Sequence, residues 1–355
     1  MATRWGICGT GLICNDFCAA LSSCPSSEHQ IVAVAARELE RARKFAATYG
    51  IPTAYGSYQE LVQDPNVDIV YIGTIHKTHK SISLLCLNSG KPVLCEKPMC
   101  LTIDDVKEVH RVAKEKNLFF MEGIWSRCFP IYDEIRKELD SGTLGQPFLV
   151  ISTMTMPMLD VGKTSEGGGC MMSIGCYVIQ AANLVFKGMP EKITVEGTLA
   201  EDGADLGACI ILRYSGNRMA SLIYYSQAMA EITEKSFSER FKNLQSNTFT
   251  IIGTKGEIKV DAPFLCPTKM SGPSGNKEFP LPKTKHPVIL PNSEGLCYEA
   301  DCVRQCLKEG LKECPKMTHA DSEIINSIMA EMCKQLGLDY SGVSTTATTK
   351  NIFIY

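Results

Sequence analysis

Two hydrophobic rhythms run along the chain. Up to about residue 145, short continuous apolar runs rich in β-branched residues alternate with amphipathic stretches of about ten residues. Thr3–Gly9, Gln30–Ala36 (QIVAVAA), Asp68–Thr74 (DIVYIGT), Pro92–Cys95 and Leu118–Glu122 read as strands. Leu12–Ser22, Glu38–Tyr49, His79–Asn88, Ile103–Glu115 and Tyr132–Leu139 read as helices. Strands apolar throughout, each followed by a helix, predict a parallel sheet covered on both faces.

After Gly145 the period shortens toward two. Phe148–Thr155, Lys192–Thr198, Leu206–Tyr214, Met219–Tyr225 and Thr248–Val260 read as strands. Turn signals such as Ser215-Gly216-Asn217 and Thr254-Lys255-Gly256 join them without helices, which predicts a mostly antiparallel sheet. A helical stretch, Gly169–Phe186, lies among them. Pro263–Gly295 is rich in Pro, Lys, Gly and Ser and reads as a loop over a pocket. Tyr298–Glu309 and Ala320–Leu336 read as closing helices. The Thr/Ser-rich tail is expected to be poorly ordered. The fold class is α/β, with residues 1–125 as a nucleotide-binding domain, 126–338 as an α/β substrate and dimerisation domain, and 339–355 as tail.

Composition adds limits. At 355 residues the chain exceeds one ordinary core, in keeping with two domains. Its formal net charge of -3 gives no reason to expect nucleic acid or an anionic membrane as partner. No apolar run reaches the roughly 20 residues of a membrane span, and no leader-like segment precedes Arg4. The 17 cysteines are odd in number and contain no Cys-x-x-Cys pair. Cys302 and Cys306 lack a second Cys or His pair, so no metal site is expected. Reduced, buried thiols fit a cytoplasmic protein.

The first strand runs into Gly9-Thr10-Gly11-Leu12-Ile13-Cys14. In a dinucleotide fingerprint the first Gly permits the turn and the second admits a pyrophosphate. The third residue, here the small Cys14, lets helix pack on strand. The helix N-terminus then offers amides to phosphates. A Gly-rich turn without a ligand is the alternative. The second strand ends in Ala35-Ala36-Arg37. NAD enzymes hold the ribose 2′-hydroxyl with an acid there, whereas Arg37 suits a 2′-phosphate and so NADP. Otherwise Arg37 is a solvated helix-start residue. Cys95-Glu96-Lys97-Pro98 follows another strand, where ligands of open parallel sheets sit, and Pro98 suits a tight turn with a cis bond. His76 and His79 follow the third strand as cofactor or substrate contacts, or as ordinary loop residues. Gly167-Gly168-Gly169 precedes a helix carrying Tyr177. That Tyr is either a proton carrier tuned by a nearby lysine or a half-buried helix residue.

In order, the fingerprint, Glu96-Lys97-Pro98, the Gly-Gly-Gly helix and the Gly253–Gly256 turn resemble the glucose–fructose oxidoreductase/inositol dehydrogenase (Gfo/Idh/MocA) family. Arg4-Trp5-Gly6-Ile7, Val32–Arg37, Ala54–Tyr58, Leu94–Met99 and Gly142–Gly145 are similar to its NADP-dependent branch acting on cyclic vicinal diols and D-xylose. The resemblance implies a Rossmann domain, an open-faced sheet domain and a homodimer through that sheet. It implies Lys97 and Tyr177 as catalytic pair. Gly9, Thr10, Gly11, Leu12, Ile13, Arg37, Tyr71, Thr74, His76, His79, Glu96, Lys97 and Trp125 would hold NADP. The activity implied is hydride transfer from a diol or sugar hydroxyl (trans-1,2-dihydrobenzene-1,2-diol or D-xylose type). Tyr177, Phe148, Ser173 and Thr198 would face substrate. Ser173 replaces the usual Asp, and Phe148 and Thr198 stand where close members carry Arg. Each lost polar partner of a buried hydroxyl costs on the order of 1–3 kcal/mol. Two other readings follow from these departures: a less polar carbonyl or alcohol substrate, or a catalytically weakened NADP-binding protein.

Overall fold

A computed structural model of the chain describes residues 1–156, 167–226 and 246–343. Six short strands form the first sheet: β1 (Thr3–Cys8), β2 (His29–Ala35), β3 (Thr53–Tyr55), β4 (Ile69–Ile72), β5 (Val93–Glu96) and β6 (Phe120–Gly123). All pair in parallel, in the order β3-β2-β1-β4-β5-β6. β1, β4, β5 and β6 are buried along nearly their whole length, because the helices between strands cover both faces. Those helices are α1 (Leu12–Leu21), α2 (Leu39–Tyr49), α3 (Tyr58–Gln63), α4 (His79–Asn88) and α5 (Ile103–Glu115). The strand order reverses between β1 and β4, where open α/β sheets bind ligands. β3 and α3 escape the sequence pattern because they are three and six residues long and half polar.

α6 (Pro130–Ser141) leads to the second sheet. Its strands are β7 (Pro147–Met156), β8 (Lys192–Leu199), β9 (Asp205–Tyr214), β10 (Arg218–Ser226), β11 (Thr248–Gly253), β12 (Gly256–Val260), β13 (Lys269–Ser271) and β14 (Lys277–Glu278). The order is β14-β13-β12-β11-β7-β10-β9-β8, antiparallel except for β7 beside β10. β13 and β14 lie inside the stretch expected to be loop. One face of this sheet packs on α7 (Cys176–Phe186) and α9 (His319–Leu336). From the other, Ile151, Ile211, Ile223 and Tyr225 stand about 40% exposed. α8 (Leu296–Lys308) packs against α1 and so ties the late chain to the first sheet.

The tail is anchored at its start. Tyr340 is buried and donates its hydroxyl to the Gly168 carbonyl at 2.8 Å. Residues 344–355, the rest of the segment expected to be disordered, lie outside the described residues. Among the described residues no helix is long and apolar enough to cross a membrane.

Candidate active site

A cleft enclosing about 430 Å³ runs from the β1/β4 switch to the second sheet. At its head the chain turns through Gly9 at φ 113°. A side chain there would meet the Gly73 carbonyl at 2.8 Å, so the turn requires glycine. Cys14 takes the third fingerprint position, buried, with its thiol on the Gly73 carbonyl at 3.2 Å. Gly11 caps α1 without a side-chain bond, which leaves first-turn amides facing the cleft. Arg37 is exposed at the rim and makes no ion pair among the described residues. Arg41, one turn further along α2, joins it, with Phe45 and Tyr58 alongside. These three were missed; the i, i+4 spacing of Arg37 and Arg41 was the available signal.

The middle of the cleft is built on β4 and β5. Glu96 is buried, and burial raises its pKa. Tyr71 donates to its Oε1 at 2.7 Å, and the Lys97 amide to its Oε2 at 3.2 Å. Tyr71, expected to touch the cofactor, is not among the residues that line the cleft. Its ring is fully buried, stacked on Phe17 at 3.8 Å between centroids, and it supports Glu96 from behind. The Lys97–Pro98 peptide is cis. His79 bridges the two strand ends, Nδ1 2.8 Å from the Pro98 carbonyl and Nε2 3.0 Å from that of Thr74. His76 Nδ1 lies 3.3 Å from the Gly167 carbonyl. Burial lowers the pKa of both histidines, which favours the neutral rings.

At the inner end the π-helical turn Met171–Gly175 carries the chain into α7 and aims Tyr177 inward. Trp125 donates its indole N–H to Tyr177 Oη at 2.6 Å. Lys97 Nζ lies 5.1 Å from the centre of the Tyr177 ring and donates to the Ser173 carbonyl at 2.6 Å. Lys97 therefore faces the ring of Tyr177, and the contact to its hydroxyl comes from Trp125. Desolvation raises the phenol's pKa well above its usual value, Cys176 and Glu96 add to this, and Trp125 opposes it. Ser173 lines the cleft, but its hydroxyl is turned back to the Gly169 carbonyl at 3.0 Å.

Two substrate-side expectations are not met in this cleft. Phe148 sits at a β-bulge where β7 begins, 42% exposed. Thr198 is exposed on β8, on the side of the strand away from α9. Neither lines the cavity. Its walls are instead Met154, Met156, Ile174, Leu265 and Cys266, with Asn247 as a polar exception. The late loop closes it through Ile289, Leu290 and Pro291. Asp16 of α1 straps that loop in place. It accepts the Ile289 amide at 2.8 Å, the Leu290 amide at 2.7 Å and the Ser293 hydroxyl at 2.7 Å. Burial nonetheless raises the Asp16 pKa.

Asp205, at the start of β9, holds the turn before Tyr177 by accepting the Met171 amide at 2.7 Å. Burial pushes its pKa from 3.8 up to about 6. Within that window the folded state keeps a proton that the unfolded state has released. This contribution to stability is therefore full below pH 3.8 and is lost as pH rises through about 6. The loss is at most about 3 kcal/mol. Urea unfolding of the wild type and of Asp205→Asn should show it: the wild type loses stability relative to the variant between pH 4 and 7. Parallel pH profiles would refute the assignment.

Comparison with known proteins agrees with this architecture. Residues 3–124 match the model of the "Oxidoreductase family, NAD-binding Rossmann fold", and residues 132–259 that of the "GFO/IDH/MocA C-terminal domain". A trans-1,2-dihydrobenzene-1,2-diol dehydrogenase of Xenopus laevis is 44% identical over 344 residues, 96% of this chain and 100% of that one. The Homo sapiens protein of the same name is 40% identical, covering 96% of this chain and 98% of its own. Among structures, levoglucosan dehydrogenase complexed with NADH and levoglucosan aligns with a TM-score of 0.78 at 17% identity, covering 95% of this chain and 98% of that one. The aldose-aldose oxidoreductase of Caulobacter crescentus gives 0.76 at 19%, with the same coverages. With its parallel nucleotide sheet, its mixed second sheet and a cleft between fingerprint and tyrosine, the chain belongs to the Gfo/Idh/MocA family of nicotinamide-dependent oxidoreductases.

Proposed function

We propose that this protein is an NADP-dependent dehydrogenase that oxidises a vicinal diol or sugar hydroxyl, of the trans-1,2-dihydrobenzene-1,2-diol or D-xylose kind. The observation that carries the reading is Tyr177, the buried phenol that opens on the same cleft as Lys97 and the glycine fingerprint. The cleft fits a dinucleotide: a glycine turn that a Cβ would fill, uncapped helix amides and, at the rim, a guanidinium with no ion pair among the described residues. Gly9 through Ile13 would take the pyrophosphate, and Arg37 the 2′-phosphate. Thr74, His76, His79, Glu96 and Lys97 would line the remainder. When bound, the nicotinamide supplies a hydride acceptor.

Tyr177 Oη takes the proton of the reacting hydroxyl, or returns one to a carbonyl oxygen in the opposite direction. Taking that proton requires the phenolate, which the Trp125 N–H already on the oxygen stabilises. The Lys97 ammonium over the ring acts in the same sense. Apolar walls at Met154, Met156 and Leu265 favour a second reading, a substrate less polar than a sugar. NADPH absorbance with NADP and a panel of D-xylose, D-glucose, the benzene dihydrodiol and apolar alcohols decides between them. Turnover of xylose or the diol supports the first reading. Turnover of apolar alcohols alone supports the second, and tight NADPH binding with no turnover leaves a catalytically weakened protein.

The homodimer belongs to the same proposal. Ile151, Ile211, Met219, Ile223 and Tyr225 leave an apolar face on the second sheet that water disfavours. Seventeen free thiols support a reducing, cytoplasmic setting. Sedimentation of the wild type should give twice the 39.0 kDa chain mass, and Ile223→Lys should give the single chain. A wild type that sediments as a single chain ends the dimer reading.

A further inference from the structure

The inner end of the cleft offers a substrate few polar partners. Phe148 and Thr198 lie outside it. The Trp125 N–H is committed to Tyr177, and the Ser173 hydroxyl to the Gly169 carbonyl. The wall on the side of the second sheet is apolar at Met154, Met156 and Leu265. A substrate with two hydroxyls brings a second polar group into this space, and a buried hydroxyl without a partner is costly. Among the described residues, Asn247 is the polar side chain of that wall.

Asn247 stands just before β11 and is held from both sides. Its Oδ1 accepts the Thr155 amide of β7 at 2.7 Å, and its backbone carbonyl accepts the Phe264 amide at 3.1 Å. The first contact settles which way the side-chain amide faces. An N–H meets the oxygen, so the other terminal atom is the nitrogen. Asn247 is 1% exposed, and among the described residues its Nδ2 makes no hydrogen bond. That nitrogen is open to the cleft the residue lines. The same contacts place it at the reacting end. Thr155 lies between Met154 and Met156 of the wall. Leu265, next to Phe264, accepts the Ser126 hydroxyl on its carbonyl, and Ser126 follows Trp125, the donor to Tyr177. Asn247 thus joins Tyr177 through short hydrogen-bonded stretches, and both side chains open on one space.

We propose that Asn247 determines specificity in this site: its Nδ2 donates to a second hydroxyl oxygen of the substrate, on the carbon next to the one that gives up its hydride. The proposal rests on the reading of the protein as a dehydrogenase of diols or sugars. Tyr177 handles the reacting hydroxyl and Asn247 holds its neighbour. A ring with an apolar edge and a vicinal hydroxyl pair matches a wall that is apolar save for one amide. A simple alcohol leaves the Asn247 N–H donors facing methionine and leucine side chains. A site built to hydrogen-bond a hydroxyl rejects the analogue that lacks it.

The test reads kcat/KM for two substrate pairs that differ by the neighbouring hydroxyl alone: trans-cyclohexane-1,2-diol against cyclohexanol, and D-xylose against 2-deoxy-D-xylose. In a pair that the wild type turns over, it should favour the hydroxyl-bearing member by about 10–100-fold. Asn247→Leu, of similar size, should bring that ratio close to one by losing activity on this member, with NADPH binding by fluorescence unchanged. Loss of the Thr155 contact or of general packing lowers both members equally and leaves the ratio intact, so the ratio separates binding from structure. A ratio that survives in Asn247→Leu overturns the proposal and leaves the reaction reading standing. An equal loss on both members with weaker NADPH binding overturns it as well, by giving Nδ2 to the nicotinamide. A wild type that uses both members of a pair equally overturns it without any variant. A wild type that turns over neither the diol nor xylose ends the reaction reading and the proposal with it. Should Asn247→Leu fold poorly, Asn247→Ala gives the same ratio.

Discussion

Tyr177→Phe is expected to lower kcat by about 10²–10⁴-fold, the usual range for a positioned acid–base group. NADPH affinity, read by fluorescence, should stay within a few-fold, because the phenol lies at the far end of the cleft from the fingerprint. The variant should also be less stable by about 1–3 kcal/mol, since the buried Trp125 N–H loses its acceptor. Lys97→Met should abolish turnover as well, but without orphaning the indole. A Tyr177→Phe enzyme that retains wild-type kcat would remove the tyrosine from the chemistry and leave it a packing residue.

Arg37→Gln is expected to weaken NADP binding by roughly 10- to 150-fold, the equivalent of one charge-assisted contact of about 1.5–3 kcal/mol. NAD binding should change little, because NAD carries no 2′-phosphate for the guanidinium to meet. Titration calorimetry with both nucleotides separates the outcomes. A parallel loss for both would assign Arg37 to a part that the two nucleotides share. No loss for NADP would move the phosphate contact to Arg41, the other arginine of the rim.

Residues whose role is set by backbone conformation were legible in the sequence. Gly9 announces itself because only glycine turns through φ 113° against the Gly73 carbonyl. The cis Lys97–Pro98 bond and the long buried strands follow from local rules of the same kind. Groups that act through contacts across the fold were not legible. Trp125 lines the cleft as a cofactor residue would, but its bond to Tyr177, 52 positions away, has no local signal. Tyr71 matched a cofactor position, yet no local pattern indicates that its ring is walled in by Phe17. Phe148 and Thr198 were assigned by correspondence with relatives, which fixes a place in the chain and says nothing of the side of the sheet it faces. The strap at Ile289 and Leu290 was invisible because its acceptor, Asp16, reads as one polar residue in an apolar helix.

That strap alters how sequence variants should be interpreted. Asp16 sits in the first helix, 273 to 277 positions before the loop it holds. By position, a replacement there belongs with the nucleotide sheet and would be scored as a folding lesion. By its bonds it belongs to the wall of the substrate cleft, and a clinician or breeder weighing such an allele should group it with changes at Leu290.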